Sequence, residues 1–458
     1  MAQKEGSDSA STGSGKIERF STSGFILAAI GSSVGLGNMW KFPYITGKYG
    51  GAAFFLMFII CLIVVGLPIL LAEMAIGRSG RGNAAASLFN ITGKKHWKWI
   101  GTIPVVTSFL IMCYYGVVAG WTLHYTVLSF SGSLSDVNTD FTAEFTNFAG
   151  GYAPLFWQAV VMLITGIVIA KGVSGGIEKY NKILIPGFLV ILLILMFRSL
   201  TLPGAAAGVE FFLAPDFDKL SRASILTALG HAFFSLSLGM GCMLTYGSYV
   251  RKEQSLGKAA LAIGAGDLFY ALLAGLIIFP TVFSYGLKPD QGVGLAFMAL
   301  PAAFAQMPLG AFFGGLFFLL LAIAAITSCF SILEVPVAYA MGQWNWTRKK
   351  AASIVCIFSF ILGVPAALSV GGVLSFITLD GKSIFDVFDF VTSYILMPVG
   401  GFIVTIFTGY AWKRAGEEAG LSGFWYDTWM FILRYIAPIL IILIFLFSIG
   451  IIQPPQPE

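Results

Sequence analysis

The chain is a succession of long apolar runs joined by short polar connections. A helix needs about 20 predominantly apolar residues to cross the hydrocarbon of a bilayer. Eleven runs approach that length, near 22–47, 52–77, 98–130, 154–170, 178–199, 222–249, 256–286, 310–341, 350–369, 384–411 and 425–450. The pattern predicts an all-α integral membrane protein with about 11 transmembrane helices. No connection is long enough for a soluble domain. Those at 131–153 and 200–221 carry several acids, and 287–309 holds short apolar pieces that suit a helical lid.

Of 458 residues, 57% are hydrophobic and only 11% charged, with a mean hydropathy of +0.86. Soluble domains carry roughly 25% charged residues, so composition and pattern exclude a soluble fold together. Lys and Arg gather in alternate connections, among them Arg78, Arg81, Lys94, Lys171, Arg251, Lys252, Arg348, Lys349, Lys350 and Lys413. The positive-inside rule places those connections and the N-terminus in the cytoplasm, and an odd helix count then leaves the C-terminus outside. The expected location is the plasma membrane, the inner membrane of a bacterium. Residues 1–19 are polar, rich in Ser and Gly, and lack a signal-peptide core. They read as a disordered cytoplasmic tail, followed by a transmembrane domain at 20–450 and a C-terminal tail at 451–458. The five cysteines all lie in apolar runs without metal-ligand spacing. His96, His124 and His231 are scattered, and no nucleophile–base arrangement points to an enzyme.

Two apolar runs are interrupted. GSSVGLGNMWKFPY, from Gly31 to Tyr44, puts three glycines, two serines and an asparagine into the first run. FFSLSLGMG, from Phe233 to Gly241, does the same to the sixth. Non-helical backbone at membrane depth is tolerated only where it is buried in protein or lines a cavity. Unwinding frees carbonyls for a cation, and the half-helix N-terminus it leaves suits a carboxylate. For either stretch alone, close packing through small residues is a competing explanation. Interruptions at corresponding positions of two halves favour a transport site at a repeat interface.

Acids inside apolar runs are costly and default to a functional reading. Glu73, Asp267, Glu334, Asp386 and Asp389 meet that description. For Glu73 and Glu334 a structural hydrogen-bond anchor fits equally well. Thr327 and Ser328 add hydroxyls, and the Ala324 carbonyl lies one turn earlier on the face of Thr327. Such hydroxyls often bond back to their own helix. His231 sits about one turn before the second interruption, either near an ion or gate or simply packed.

These stretches, together with GGAAF after the first, EMAIGR at 73–78, YYGVVAGWTL at 114–123, TYGSYVRK ending at Lys252 and ITSCFSILE at 326–334, occur in an order that resembles the neurotransmitter:sodium symporter family. The likeness covers nearly the whole chain and is strongest to bacterial hydrophobic-amino-acid transporters with eleven helices. It implies two inverted repeats of five helices, about 20–199 and 222–411, with an extra helix at about 425–450. Helices one and six would be unwound at mid-membrane. The resemblance implies a first sodium site at the Ser33 carbonyl, Asn38, Ser235, Asp267 and the substrate carboxylate. It implies a second at the carbonyls of Gly31, Val34 and Ala324 with the hydroxyls of Thr327 and Ser328. Substrate contacts are implied at Ser32, Ser33, Gly35, Gly37, Ile111, Tyr115, Phe234, Ser235, Ser237, Gly239, Met240, Ser328 and Ile332. Lys41 and Asp389 would form an outer gate near Asp386, with Phe234 closing over the substrate.

Departures from the family pattern refine the expectation. Lys41 stands where Arg is more usual, and it lacks the bidentate fork. Asp267 stands where chloride-dependent relatives keep Asn, and Phe58 replaces their chloride-contacting Tyr, so no chloride requirement is expected. Gly35 replaces the acid that monoamine transporters use for the amine, which favours substrates that bring their own carboxylate. Phe20 occupies the inner-gate tryptophan position, and no acid near Gly342 completes the usual inner-gate pair. The reading is a sodium-coupled symporter, with two sodium sites, importing neutral, hydrophobic L-amino acids by alternating access. A non-transporting amino-acid sensor is the alternative, and neither reading involves nucleic acid.

Overall fold

The computed structural model describes residues 18–289 and 294–451. Of the tails expected at 1–19 and 451–458, residues 1–17 and 452–458 lie outside the described residues. Glu18, assigned to the tail from sequence, docks on the body, where its carboxylate accepts from the Val173 N–H.

Two short apolar helices, α1 (Thr22–Ser33) and α2 (Phe42–Lys48), replace the single first helix that the apolar run predicts. Long helices α3 (Ala52–Gly80), α4 (Lys95–Phe130), α5 (Ala153–Ala170) and α6 (Val173–Leu200) follow. The sixth run is again two pieces, α7 (Arg222–Ser235) and α8 (Cys242–Ser248). The remainder is α9 (Leu256–Ser284), α10 (Gly310–Trp344), α11 (Arg348–Ser369), α12 (Ile384–Ala411) and α13 (Gly423–Ser448). Nine of these are long and apolar enough to cross a bilayer, among the described residues.

Local chemistry sets the helix starts. Ser21, Ser221, Ser255 and Thr347 each cap a helix by accepting from a backbone N–H three residues on. The helices are apolar all round, so composition alone does not say which are central. Burial does: 78% of the most apolar window of α4 and 83% of that of α10 is enclosed by protein, against 28% for α6 and 33% for α13. α4 and α10 therefore form the core wall, and α6 and α13 present apolar surface outward.

The long connections carry short helices, Phe141–Gly150 and Ala205–Leu213. The segment expected to be a lid is helical over Leu295–Ala305. Its Phe297 packs edge-on to Trp121 and Tyr125 of α4, at 5.8 and 5.3 Å between ring centroids. A two-residue antiparallel ladder, Thr378–Leu379 with Lys382–Ser383, precedes α12. At the opposite end the basic connections converge. Arg78, at the end of α3, reaches the carbonyl of Gln254 and both the carboxylate and the carbonyl of Glu418.

Candidate functional site

The two interruptions face each other in the core. α1 ends at Ser33, Val34 leaves the helical region, and the chain resumes through a wide turn at Gly37–Lys41. The N–H of Leu36 is freed from its helix and donates to the Tyr115 hydroxyl of α4 at 3.3 Å. Gly35 has no room for a side chain, because a Cβ there would overlap Ser328 Oγ and lie 3.0 Å from the Tyr115 hydroxyl oxygen. In the second break Ser237, Gly239 and Gly241 all have positive φ, at 55°, 78° and 78°. Glycine adopts that region freely, whereas a serine there is held by its surroundings. Ser237 is held by its hydroxyl, which donates to the Ser32 carbonyl across the two breaks at 3.0 Å.

Beside the breaks lies a polar knot. Asn38 Nδ2 donates to Asp267 Oδ1 at 2.9 Å and to the Asp267 carbonyl at 3.1 Å. Ser235 Oγ lies 2.7 and 2.9 Å from the two Asp267 carboxylate oxygens and 3.0 Å from Asn38 Oδ1. Asp267 is fully buried, and no basic side chain among the described residues pairs with it. A buried carboxylate surrounded only by neutral donors retains strong attraction for a cation.

The residues expected at the second sodium site are also neighbours. Ser328 Oγ lies 3.4 Å from the carbonyls of both Gly31 and Ser32. Thr327 Oγ1 lies 3.0 and 3.1 Å from the carbonyls of Ile323 and Ala324 of its own helix, and Val34 N–H closes the end of α1 on Ile30.

A small cavity of about 20 Å³ lies between the breaks. Ser32, Ser33, Gly35, Gly37, Ile111, Tyr115, Phe234, Ser237, Met240, Ser328 and Ile332 line it, all of them expected substrate contacts. Two expected contacts do not line it. Ser235 turns to Asp267 instead. Gly239 faces away, its N–H donating to Glu73 Oε1 at 2.7 Å and its Cα set against the Met397 carbonyl of α12. Glu73 is thus the anchor of the second break.

A second cavity of about 320 Å³ lies beyond Phe234, lined by Lys41, Tyr44, His231, Ser393 and Tyr394 among others. Phe234 borders both cavities and is the partition between them. Lys41 and Asp389 do not form an ion pair in this structure. Lys41 Nζ rests 4.4 Å over the Phe234 ring and 5.6 Å from that of Tyr394, a favourable cation–π arrangement. Asp389 Oδ1 accepts instead from Tyr114 and Ser393, at 3.1 and 2.9 Å. Asp386 serves the first turn of α12, where it accepts from the Ser383 N–H and hydroxyl. His231 is packed, 5.0 Å from Phe58 and 5.7 Å from Phe42 between ring centroids.

At the basic end, residues whose association the sequence concealed pack together. Phe20 is fully buried against Phe25, Tyr246 and Tyr249. The Tyr249 hydroxyl donates to Glu334 Oε1 at 2.6 Å, and Arg348 grips both Glu334 oxygens at 2.8 and 3.0 Å. Arg348 reads in sequence as one more basic loop residue. Its only sequence signal is a lone acid fourteen residues earlier.

The profile of the sodium:neurotransmitter symporter family matches residues 18–150 and 149–458. The sodium-dependent transporter YhdH of Bacillus subtilis is 40% identical over 440 residues, covering 94% of this chain and 97% of its own. A sodium-dependent transporter of Haemophilus influenzae is 35% identical, covering 92% and 96%. The crystal structure of MhsT in complex with L-phenylalanine superposes with a TM-score of 0.88 at 44% identity, covering 95% of this chain and all of that one. The chain therefore belongs to the sodium:neurotransmitter symporter family, as a multi-pass membrane protein and a sodium-dependent transporter rather than an enzyme.

Proposed function

We infer that the protein imports neutral, hydrophobic L-amino acids together with sodium, independently of chloride. The carrying observation is the buried, unpaired Asp267 carboxylate beside Asn38 and Ser235, next to a cavity with apolar walls. The first sodium is held by Asp267, Asn38, Ser235 and the Ser33 carbonyl. Hard oxygen ligands of this kind suit a small alkali cation. The substrate carboxylate completes that shell and meets the Tyr115 hydroxyl and the N–H groups freed by the first break. Sodium and substrate then favour each other's binding, and the coupling is reciprocal. The second sodium lies among Gly31, Val34, Ala324, Thr327 and Ser328, where it draws the Thr327 hydroxyl away from its own helix.

Ile111, Ile332 and Met240 supply the side-chain pocket. Flexible Met240 lets it adapt to ligands of different size, and the small cavity opens as the substrate enters. The complex of MhsT with L-phenylalanine supports the same substrate class. Asp267 supplies the negative charge that chloride would otherwise bring, and it repels an anion at that place. Phe234 closes over the substrate, with Lys41 and Asp389 on its outer side. The Phe20, Tyr249, Glu334 and Arg348 layer closes the cytoplasmic side. Residues 20–199 and 222–411 act as the two repeats, in the plasma membrane with the basic end inside. Each charge carried inward gains about 2.3 kcal/mol per 100 mV.

The test is uptake of labelled phenylalanine into proteoliposomes under an inward sodium gradient, against equal potassium or choline gradients, repeated with gluconate for chloride. Accumulation that requires sodium, ignores chloride and is blocked by leucine and tryptophan is expected. Binding without accumulation would indicate a sensor. Competition by glycine but not by leucine or tryptophan would overturn the substrate class.

A further inference from the structure

Away from the transport site, a groove of about 410 Å³ opens on the outer face between α5 and α11. Gly166 makes its floor, so close to α11 that a Cβ there would lie 3.1 Å from Cys356 Sγ. Leu163, Ile167 and Ile357 form its rims and are 64%, 48% and 56% exposed. From Ala159 to Ala170 the groove follows eleven residue steps of α5, which is about 16 Å of helix. That is close to one leaflet of a hydrocarbon core about 30 Å thick.

Both walls run into lysines at the same end. Leu163, Ile167 and Lys171 follow at four-residue spacing, one face of α5. Phe360, Ile357 and Ser353 on α11 lead by steps of three and four residues, again along one helix face, to Lys349 and Lys350. The ends are in contact, since Arg348 Nη1 lies 3.4 Å from the Ile169 carbonyl. Lys349 and Lys350 are exposed and stand in the first turn of α11, where the helix dipole disfavours cations and favours an anion. Neither they nor Lys171 has an acidic partner among the described residues. Aromatic side chains ring the same level: Lys350 Nζ sits 5.1 Å over Trp346, and Lys171 Nζ is 2.8 Å from the Tyr180 hydroxyl oxygen. Aromatic residues of this kind mark the headgroup region.

We propose that this groove seats one acyl chain of an anionic phospholipid from the leaflet at the basic end, with its phosphate held by Lys171, Lys349 and Lys350. The charge argues for a lipid over a second copy of the chain, because a two-fold pairing along this face would bring like charges together. The groove's length argues for a whole lipid over a free phosphate.

The test is native mass spectrometry of the full-length protein in detergent. It is supplied with equimolar phosphatidylglycerol and phosphatidylcholine of the same acyl chains, with and without excess glycerol 3-phosphate. One retained phosphatidylglycerol is expected, at least fivefold over phosphatidylcholine and undisturbed by glycerol 3-phosphate. The double variant Lys349→Gln/Lys350→Gln should abolish the preference. Ser353→Trp, at an exposed position, should block the groove and lower retention with the lysines intact. Equal retention of the two lipids, displacement by glycerol 3-phosphate, or insensitivity to Ser353→Trp would each overturn the proposal.

Discussion

Asn38 of the first break donates its side-chain amide to Asp267 Oδ1 of α9 at 2.9 Å, with Ser235 of the second break on both. Three elements that are distant in sequence thus share one buried carboxylate. Asn38→Ala removes both a ligand and the link to Asp267. It should weaken sodium-dependent binding of labelled phenylalanine by more than tenfold while leaving the folded fraction unchanged. Equilibrium binding at fixed sodium, with size-exclusion profiles as the control for folding, checks this.

Phe234 separates the central cavity from the outer one, and Lys41 lies on its face. Phe234→Ala joins the two spaces. The dissociation rate of labelled substrate, followed by dilution, should rise by at least tenfold, because a partition controls escape more than contact. An unchanged rate would remove Phe234 from the gate.

Gly239 combines a φ of 78° with backbone of α12 directly against its Cα. Gly239→Ala must displace Met397 or straighten the break, and it should lower the thermal unfolding midpoint in detergent markedly. Strained positions of this kind cost about 1–3 kcal/mol before any overlap is counted. Gly35→Ala meets only side-chain hydroxyls at its closest approach. It should reduce binding more than stability.

Glu334 has no exposed side-chain surface, whereas its partner Arg348 keeps 15%. Removing one member of a buried ion pair costs about 3–5 kcal/mol because the other charge is left unpaired. Arg348→Gln, which strands the more deeply buried charge, should therefore lower the unfolding midpoint more than Glu334→Gln. The double variant should recover part of the loss. Additive losses would show that the two do not act as a pair.

Much of this architecture was legible because it rests on local pattern. Apolar runs located the long helices, and glycines among polar residues located both breaks. The residues around the central cavity followed from family resemblance more than from spacing, since Ile111, Tyr115 and Ile332 look like ordinary core positions in sequence. Relationships between distant polar groups were not legible. Lys41 stands near Asp389 in the family pattern, yet its ammonium takes the Phe234 face while hydroxyls satisfy the acid. Glu334 and Arg348 lie across a helix end, and no periodicity links them. Gly239 reads as part of the pocket, but its freedom is used to pack α12 and to meet Glu73.

The proposed role of Asp267 as the charge that binds the first sodium can be isolated from its hydrogen-bonding role. The most direct measurement is a sodium titration of labelled phenylalanine binding, in wild type and in Asp267→Asn, with chloride or gluconate as the anion. Asparagine keeps the hydrogen-bonding shape and removes the charge. Half-saturation by sodium in the variant is expected to move at least tenfold higher, while the wild type stays indifferent to the anion. The same sodium dependence in both proteins would contradict that role.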